Sequence, residues 1–295
     1  APSETGRLAE IDASAYLPAR TELIHRRGGR KVGTVTVGDL PEVVAPLLLL
    51  PNDRLQLMRT PIEGQPAAIE DGVVVAPARI HCTLAEAFDQ VKNGERVWFD
   101  DGKIGGIVES NDGEIMDVKI THTAPNGARL RAEKGINFPD TALEVDALTA
   151  KDIEDLGQAV GFADMVALSF LRGPEDVELL EEHLHRLGAG HMGIVLKIEN
   201  RQAFDNLPRI LLTALRSPPV GVMVARGDLA VEVGFERLSE VQEEILWLCE
   251  AAHVPVIWAT QMLEGLAKKG APSRAEVTDA AMSNRAECAM LNKGP

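Results

Sequence analysis

Gly193-Ile-Val-Leu-Lys-Ile-Glu-Asn200 is the stretch that decides the fold. Four uncharged residues lead into a lysine and a glutamate two positions apart. A short apolar run with β-branched residues reads as a strand buried on both faces, as in a parallel sheet. Side chains alternate along a strand, so Lys197 and Glu199 share one side and Ile198 points to the other. Two ionised groups at the end of a buried strand are costly unless they pair or bind something charged. A mutual ion pair is the plain alternative to a site.

The neighbouring segments repeat the pattern. Met165-Val-Ala-Leu-Ser-Phe170, Val220-Gly-Val-Met-Val-Ala225, Pro255-Val-Ile-Trp-Ala-Thr260 and Cys288-Ala-Met-Leu291 read as further strands. Helix signals lie between them. Thr149 and Asp152 have capping-box spacing, Pro174 suits a first helical turn, Ser239 with Gln242 and Ser273 with Glu276 read as caps. From about Leu143 the chain therefore alternates strand and helix, which implies parallel strands with right-handed crossovers. Residues 1–145 read differently, as many short strands with turn signals: Thr21–His25 and Lys31–Val37 around Gly28-Gly29, Arg96–Phe99 turning at Asp100-Asp101-Gly102, and the alternating Met116–Thr123. That pattern suggests a small barrel or sandwich.

Four successive strands of the second half end in polar groups: Ser169 with Arg172 after it, Lys197 with Glu199, Arg226-Gly227-Asp228, and Thr260-Gln261. If the sheet closes as a (β/α)-barrel, these ends meet on one face. Glu199 and Asp228 would supply carboxylates suited to Mg²⁺, a hard ion held by one or two carboxylates plus waters and substrate oxygens. Lys197 is a point charge beside that ion, placed for a phosphoryl group or enolate. Gly227 leaves the backbone open to a ligand. Thr260 can hold a water or pass a proton, or cap the following helix, and Arg226 could instead pair with Asp228 in the turn. His81, His122, His183 and His191 lack ligand spacing and read as surface or core residues, and Lys268-Lys269 as solvated.

Composition narrows the partners. With 295 residues and 45% hydrophobic side chains there is enough material for one large or two ordinary domains. A formal charge of −15 and 4% aromatic residues argue against nucleic acid and anionic membrane as partners. Three scattered cysteines make no disulfide framework or zinc site, and no run is long enough for a membrane span, so a cytoplasmic location is expected.

At these residues the chain resembles pyruvate kinases. The matching motifs are Val195-Leu-Lys-Ile-Glu-Asn200, Val222-Met-Val-Ala-Arg-Gly-Asp-Leu229, Val256-Ile-Trp-Ala-Thr-Gln-Met-Leu-Glu264 and Pro272-Ser-Arg-Ala-Glu276. Weaker matches are Leu148–Ile153, Val166–Arg172, Asp100–Gly102 and Lys134–Asn137. The resemblance implies an α/β fold: a partial (β/α)₈ TIM barrel, strands 4–8, over residues 146–295, preceded by a small β-barrel lid domain within residues 1–145. It implies phosphoryl transfer between phosphoenolpyruvate and ADP giving pyruvate and ATP, with Mg²⁺ (or Mn²⁺) and K⁺. Glu199 and Asp228 then match metal ligands, Lys197 the catalytic lysine, Arg226, Gly227, Asp228 and Thr260 substrate contacts, with Thr260 where the enolpyruvate is protonated. Asp101 falls in the lid. The full-length protein is expected to be a homo-oligomer. The family's first three barrel strands do not precede the lid here, and Leu291-Asn-Lys-Gly-Pro295 replaces its usual ending, so the chain is expected to be a fragment. Two other readings stand beside this one: a Mg²⁺-enolate lyase acting on pyruvate, and a catalytically silent binding or regulatory relative.

Overall fold

The computed structural model describes residues 2–3, 6–7, 20–38, 46–71, 73–217 and 219–291. The chain forms two compact units, residues 1–45 and 46–295. In the first, the strands Glu22–Arg27 and Arg30–Thr36 pair antiparallel, and Gly28 and Gly29 supply the positive φ angles of the turn, 56° and 81°.

The second unit holds two hydrophobic cores. One lies under a six-stranded sheet in the order Ile136–Asn137, Arg96–Phe99, Ile104–Asn111, Ile115–His122, Arg54–Met58, Ala78–His81. All its pairs are antiparallel except the last. The alternation in Ile115–His122 buries Met116, Val118 and Ile120 on one face, where they meet Leu55, Leu57, Val97 and Phe99. The turn after Phe99 is left-handed at three successive residues, with φ 51° at Asp100, 55° at Asp101 and 81° at Gly102. This matches the Asp-Gly hairpin signal.

The other core is organised by five parallel strands: Met165–Leu168, Gly193–Ile198, Val220–Ala225, Val256–Met262 and Cys288–Leu291. They neighbour one another in chain order, with helices between, and curl as an arc of a barrel. Gly193–Ile198 lies second in this order, and Ile194, Leu196 and Ile198 are buried. Helix Pro174–Arg186 lays Val177, Leu180 and Leu184 against the sheet, and helix Leu238–Ala252 does the same with Val241, Ile245, Leu246 and Cys249. Thr149 and Ser273 cap their helices through complete capping boxes.

Some local expectations shift. Ser239 is not a cap: it lies inside helix Leu238–Ala252, whose N-cap position, Arg237, makes no side-chain capping bond and pairs instead with Glu240 at 3.0 Å. Helices Arg201–Asp205 and Leu207–Ala214 fill a connection the sequence reading left blank. The ending Asn292–Pro295 and most of residues 1–19 lie outside the described residues. Among the described residues no helix is long and apolar enough to cross a membrane.

Candidate active site

The end of strand Gly193–Ile198 delivers Lys197 and Glu199 to the same side. Lys197 Nζ lies 3.1 Å from Glu199 Oε2 and donates to Ser169 Oγ at 2.7 Å. Glu199 is 2% exposed, and its other oxygen accepts the backbone N–H of Phe170 at 2.6 Å. That N–H is aimed by a left-handed backbone, with φ 52° at Phe170. The ion pair foreseen as the plain alternative is therefore present, inside a polar cluster shared by two adjacent strand ends.

Arg226, Gly227 and Asp228 form the first turn of helix Arg226–Val233 rather than the tail of the strand. A carboxylate at a helix N-terminus meets the positive end of the helix dipole. Asp228 also accepts from Asn137 Nδ2 at 3.5 Å, and the same amide reaches Glu232 Oε1, one turn further along, at 3.3 Å. Asn137, from the six-stranded sheet, thus spans two acids of the helix. A Cβ on Gly227 would lie 3.8 Å from Thr260 Cγ2, so these residues face one another.

Thr260 is no helix cap. The next helix starts at Glu264, and Thr260 Oγ1 donates to Ala259 O at 2.8 Å. Its φ is 65°, followed by 52° at Gln261 and 47° at Leu263. Positive φ at a β-branched residue is a genuine outlier that only its surroundings can hold. Arg226 does not pair with Asp228. It turns inward, with Nε donating to Ala259 O at 2.8 Å, Nη2 donating to Thr260 O and Nη1 paired with Asp279.

The electrostatics single out the carboxylates. Burial pushes the Glu199 carboxyl above its ordinary range; Lys197 opposes this, and the Asp228 charge adds to it. Burial also raises Asp228, opposed by Asn137 and reinforced by Asp101. Glu232 is raised by burial as well, with Asn137 opposing and Asp228 adding. The Asp228 charge thus reaches Glu199. A buried and a half-buried carboxylate are hard-oxygen donors of the kind that suits a divalent cation of the Mg²⁺ type. Among the described residues no group of three or more His, Cys, Asp or Glu could hold a metal ion.

Sequence reasoning named Lys197, Glu199, Arg226, Gly227, Asp228 and Thr260; Lys197 meets Glu199 and Gly227 faces Thr260, whereas Arg226, expected as a substrate contact, turns to Ala259 O, Thr260 O and Asp279. It missed the roles of Asn137, Glu232 and Asp279. For Glu232 a signal existed, since it stands four residues after Asp228 and so on the same helix face. His81 uses Nδ1 on Met58 O at 3.0 Å, a structural contact.

The model of the pyruvate kinase barrel domain matches residues 70–294. The chain is 38% identical over 204 residues to a pyruvate kinase of Mycobacterium tuberculosis (strain ATCC 25618 / H37Rv), covering 69% of this chain and 41% of that protein. A pyruvate kinase of Clostridium acetobutylicum is 33% identical over 222 residues, 74% of this chain and 45% of its own length. One from Bacillus licheniformis is 37% identical over 217 residues, 72% of this chain and 35% of its own length. The chain thus spans less than half the length of these curated relatives.

Proposed function

The chain belongs to the pyruvate kinase family, and from that premise we propose that it carries part of the catalytic centre of a Mg²⁺-dependent phosphotransferase acting between phosphoenolpyruvate and ADP. In this reading residues 146–295 supply strands 4–8 of a (β/α)₈ barrel, and the sheet before them serves as a lid. Glu199 and Asp228 would hold Mg²⁺ (or Mn²⁺). Bound there, the ion would polarise substrate oxygens and offset the charge of the transferring phosphoryl group. K⁺ dependence and a homo-oligomeric full-length protein belong to the same proposal.

The remaining work falls to the chain's own groups. Lys197, held between Ser169 and Glu199, points a fixed ammonium at the phosphoryl group as negative charge shifts during transfer. Gly227 gives the substrate carboxylate access to backbone N–H groups at the helix start. Thr260 stands where a proton reaches the enolate carbon. Asn137 ties the lid-like sheet to the helix carrying Asp228, so that approach of the sheet and orientation of the metal ligand are coupled. Closure would exclude water and keep the phosphoryl group for ADP.

The observation that carries this reading is the cluster at two adjacent strand ends: Lys197 lies 3.1 Å from the buried Glu199 carboxylate and 2.7 Å from Ser169 Oγ, and Asp228 opens the helix that follows the next strand. Calorimetry with Mg²⁺ and oxalate, a planar stand-in for enolpyruvate, tests it. The parent chain should bind oxalate only with Mg²⁺, and Glu199→Gln or Asp228→Asn should weaken binding at least about tenfold, by loss of one charged ligand. Unchanged affinity in both variants would refute it. The Lys197–Glu199 ion pair also supports a second reading, a silent relative whose two key groups satisfy each other. That reading expects oxalate binding without Mg²⁺-dependent deuterium exchange at pyruvate C3.

A further inference from the structure

We propose that Arg226 is a positioning residue: with Asp279 and Trp258 it forms a brace that holds Thr260 in its left-handed setting. The inference rests on the reading of Thr260 given under Proposed function.

The strand end Val256–Met262 is hooked. Thr260 and Gln261 have φ of 65° and 52°, Leu263 has 47°, and the pairing with Cys288–Leu291 slips between Trp258 and Met262. None of these residue types favours that region, and threonine least of all. Such a conformation persists only where neighbours over-determine it.

The neighbour that does so is Arg226, the first residue of the helix after the adjacent strand. One edge of its guanidinium carries two donors onto two successive carbonyls, Ala259 O (2.8 Å) and Thr260 O. A third donor pairs with Asp279 of helix Arg274–Met282. The same Asp279 oxygen accepts Trp258 Nε1 at 3.1 Å, and the guanidinium carbon lies 4.7 Å from the centre of the Trp258 ring. Trp258 is fully buried, and the Arg226 side chain is 11% exposed. Cation–π stacking, a charge pair and a two-pronged hydrogen bond therefore fix one planar group against one kinked backbone.

Ala259 O accepts from both Arg226 Nε and Thr260 Oγ1, so the arginine and the threonine hydroxyl are registered on a single carbonyl. Releasing the carbonyl would free the hook to relax and swing the hydroxyl. A lysine could keep the pair with Asp279 but not the planar fork. Arg226 thus acts on the reaction through Thr260, its donors being taken up by the protein.

Arg226→Lys tests the brace. Amide hydrogen exchange of a peptide spanning residues 259–263 should speed up about tenfold or more, as a locally strained segment loses its clamp, while residues 193–198 keep the parent rate. Deuterium exchange at pyruvate C3 with Mg²⁺ should fall about 10²-fold, the effect of a misplacement near one ångström, while oxalate affinity changes less than about tenfold. In a Thr260→Ala background the same change should cost no further C3 exchange, because both substitutions disable one unit. Asp279→Asn should act in the same direction and is read instead if Arg226→Lys fails to fold by circular dichroism. Unaltered amide exchange at 259–263 overturns the brace, and a fully additive loss in the Thr260→Ala background overturns its action through Thr260. If the parent does not bind oxalate with Mg²⁺, the functional reading falls, and amide exchange alone still decides the brace.

Discussion

Replacing Lys197 with methionine removes a charge while keeping most of the side chain's volume. In the folded protein the ammonium lies 3.1 Å from a carboxylate that is 2% exposed. At an effective dielectric near 20 such a pair has a gross attraction of about 5 kcal/mol, much of it offset by desolvation. A tighter limit comes from Glu199 itself, which can escape by taking a proton. From an ordinary value of 4.5, protonation at pH 7 costs about 3.4 kcal/mol, and at pH 5 about 0.7 kcal/mol, at 1.36 kcal/mol per unit. These are ceilings for the variant's loss. Burial already lifts Glu199 in the parent, so part of the penalty is present before the substitution. The expected loss is therefore about 2–3 kcal/mol at pH 7 and under about 1 kcal/mol at pH 5. The sign follows from linkage. With the folded-state value above the unfolded one, the folded state holds the proton longer, so the unfavourable contribution is absent below the unfolded value, grows as pH rises from it, and is complete once pH has passed the folded one. Removing Lys197 raises the folded value further and widens that window upward. Urea unfolding of parent and variant at pH 5, 6 and 7 measures the difference. A loss equal at all three pH values, or larger at pH 5 than at pH 7, would refute the reasoning.

Asn137→Ala should show the same pH signature by another route. It removes one buried amide shared by Asp228 and Glu232, two acids already raised by burial, and should cost about 1–2 kcal/mol at pH 7 and less at pH 5, measured by thermal melts across that range. Gly105→Ala would set a Cβ 2.5 Å from the Trp98 ring, which must move, at a cost of about 1–3 kcal/mol read from the urea midpoint with a change in tryptophan emission; an unshifted midpoint would show that the ring has room to yield.

The parallel half of the fold was legible because its signals are local. Apolar runs of strand length alternate with helices opened by Thr149, Pro174 and Ser273, and each signal lies within a few residues of what it specifies. The β-rich part was read less fully. Leu47–Leu49 finds its partner in Ala128–Leu130, and Arg54–Met58 lies between Ile115–His122 and Ala78–His81, pairings made across long stretches of chain. Lys197 and Glu199 could be placed on one side because strand periodicity is strict. The course of Arg226 could not be read, since a long side chain can turn either way and its partner Asp279 lies 53 residues later. The left-handed backbones at Phe170 and Thr260 run against residue preference, so propensity pointed away from them.

Charge balance is what separates a metal site from a self-contained ion pair. Lys197 accounts for Glu199. Asp228 receives an amide hydrogen bond at 3.5 Å and, among the described residues, no ion pair within 4.0 Å. The basic groups that might have served it are engaged elsewhere. Arg226, two residues away, is turned to Asp279, while Lys103 and Lys134 both close on Asp100 at 2.9 and 2.8 Å. Their hydrogen bonds outweigh burial and hold the Asp100 carboxyl below its usual range, whereas Asp228 is pushed above its own. Asp228 is half-buried, and the Asn137 amide and the charge of Lys197 offset only part of its desolvation. Under the proposed function a divalent cation from outside would complete that charge, without bringing a side chain that blocks the substrate.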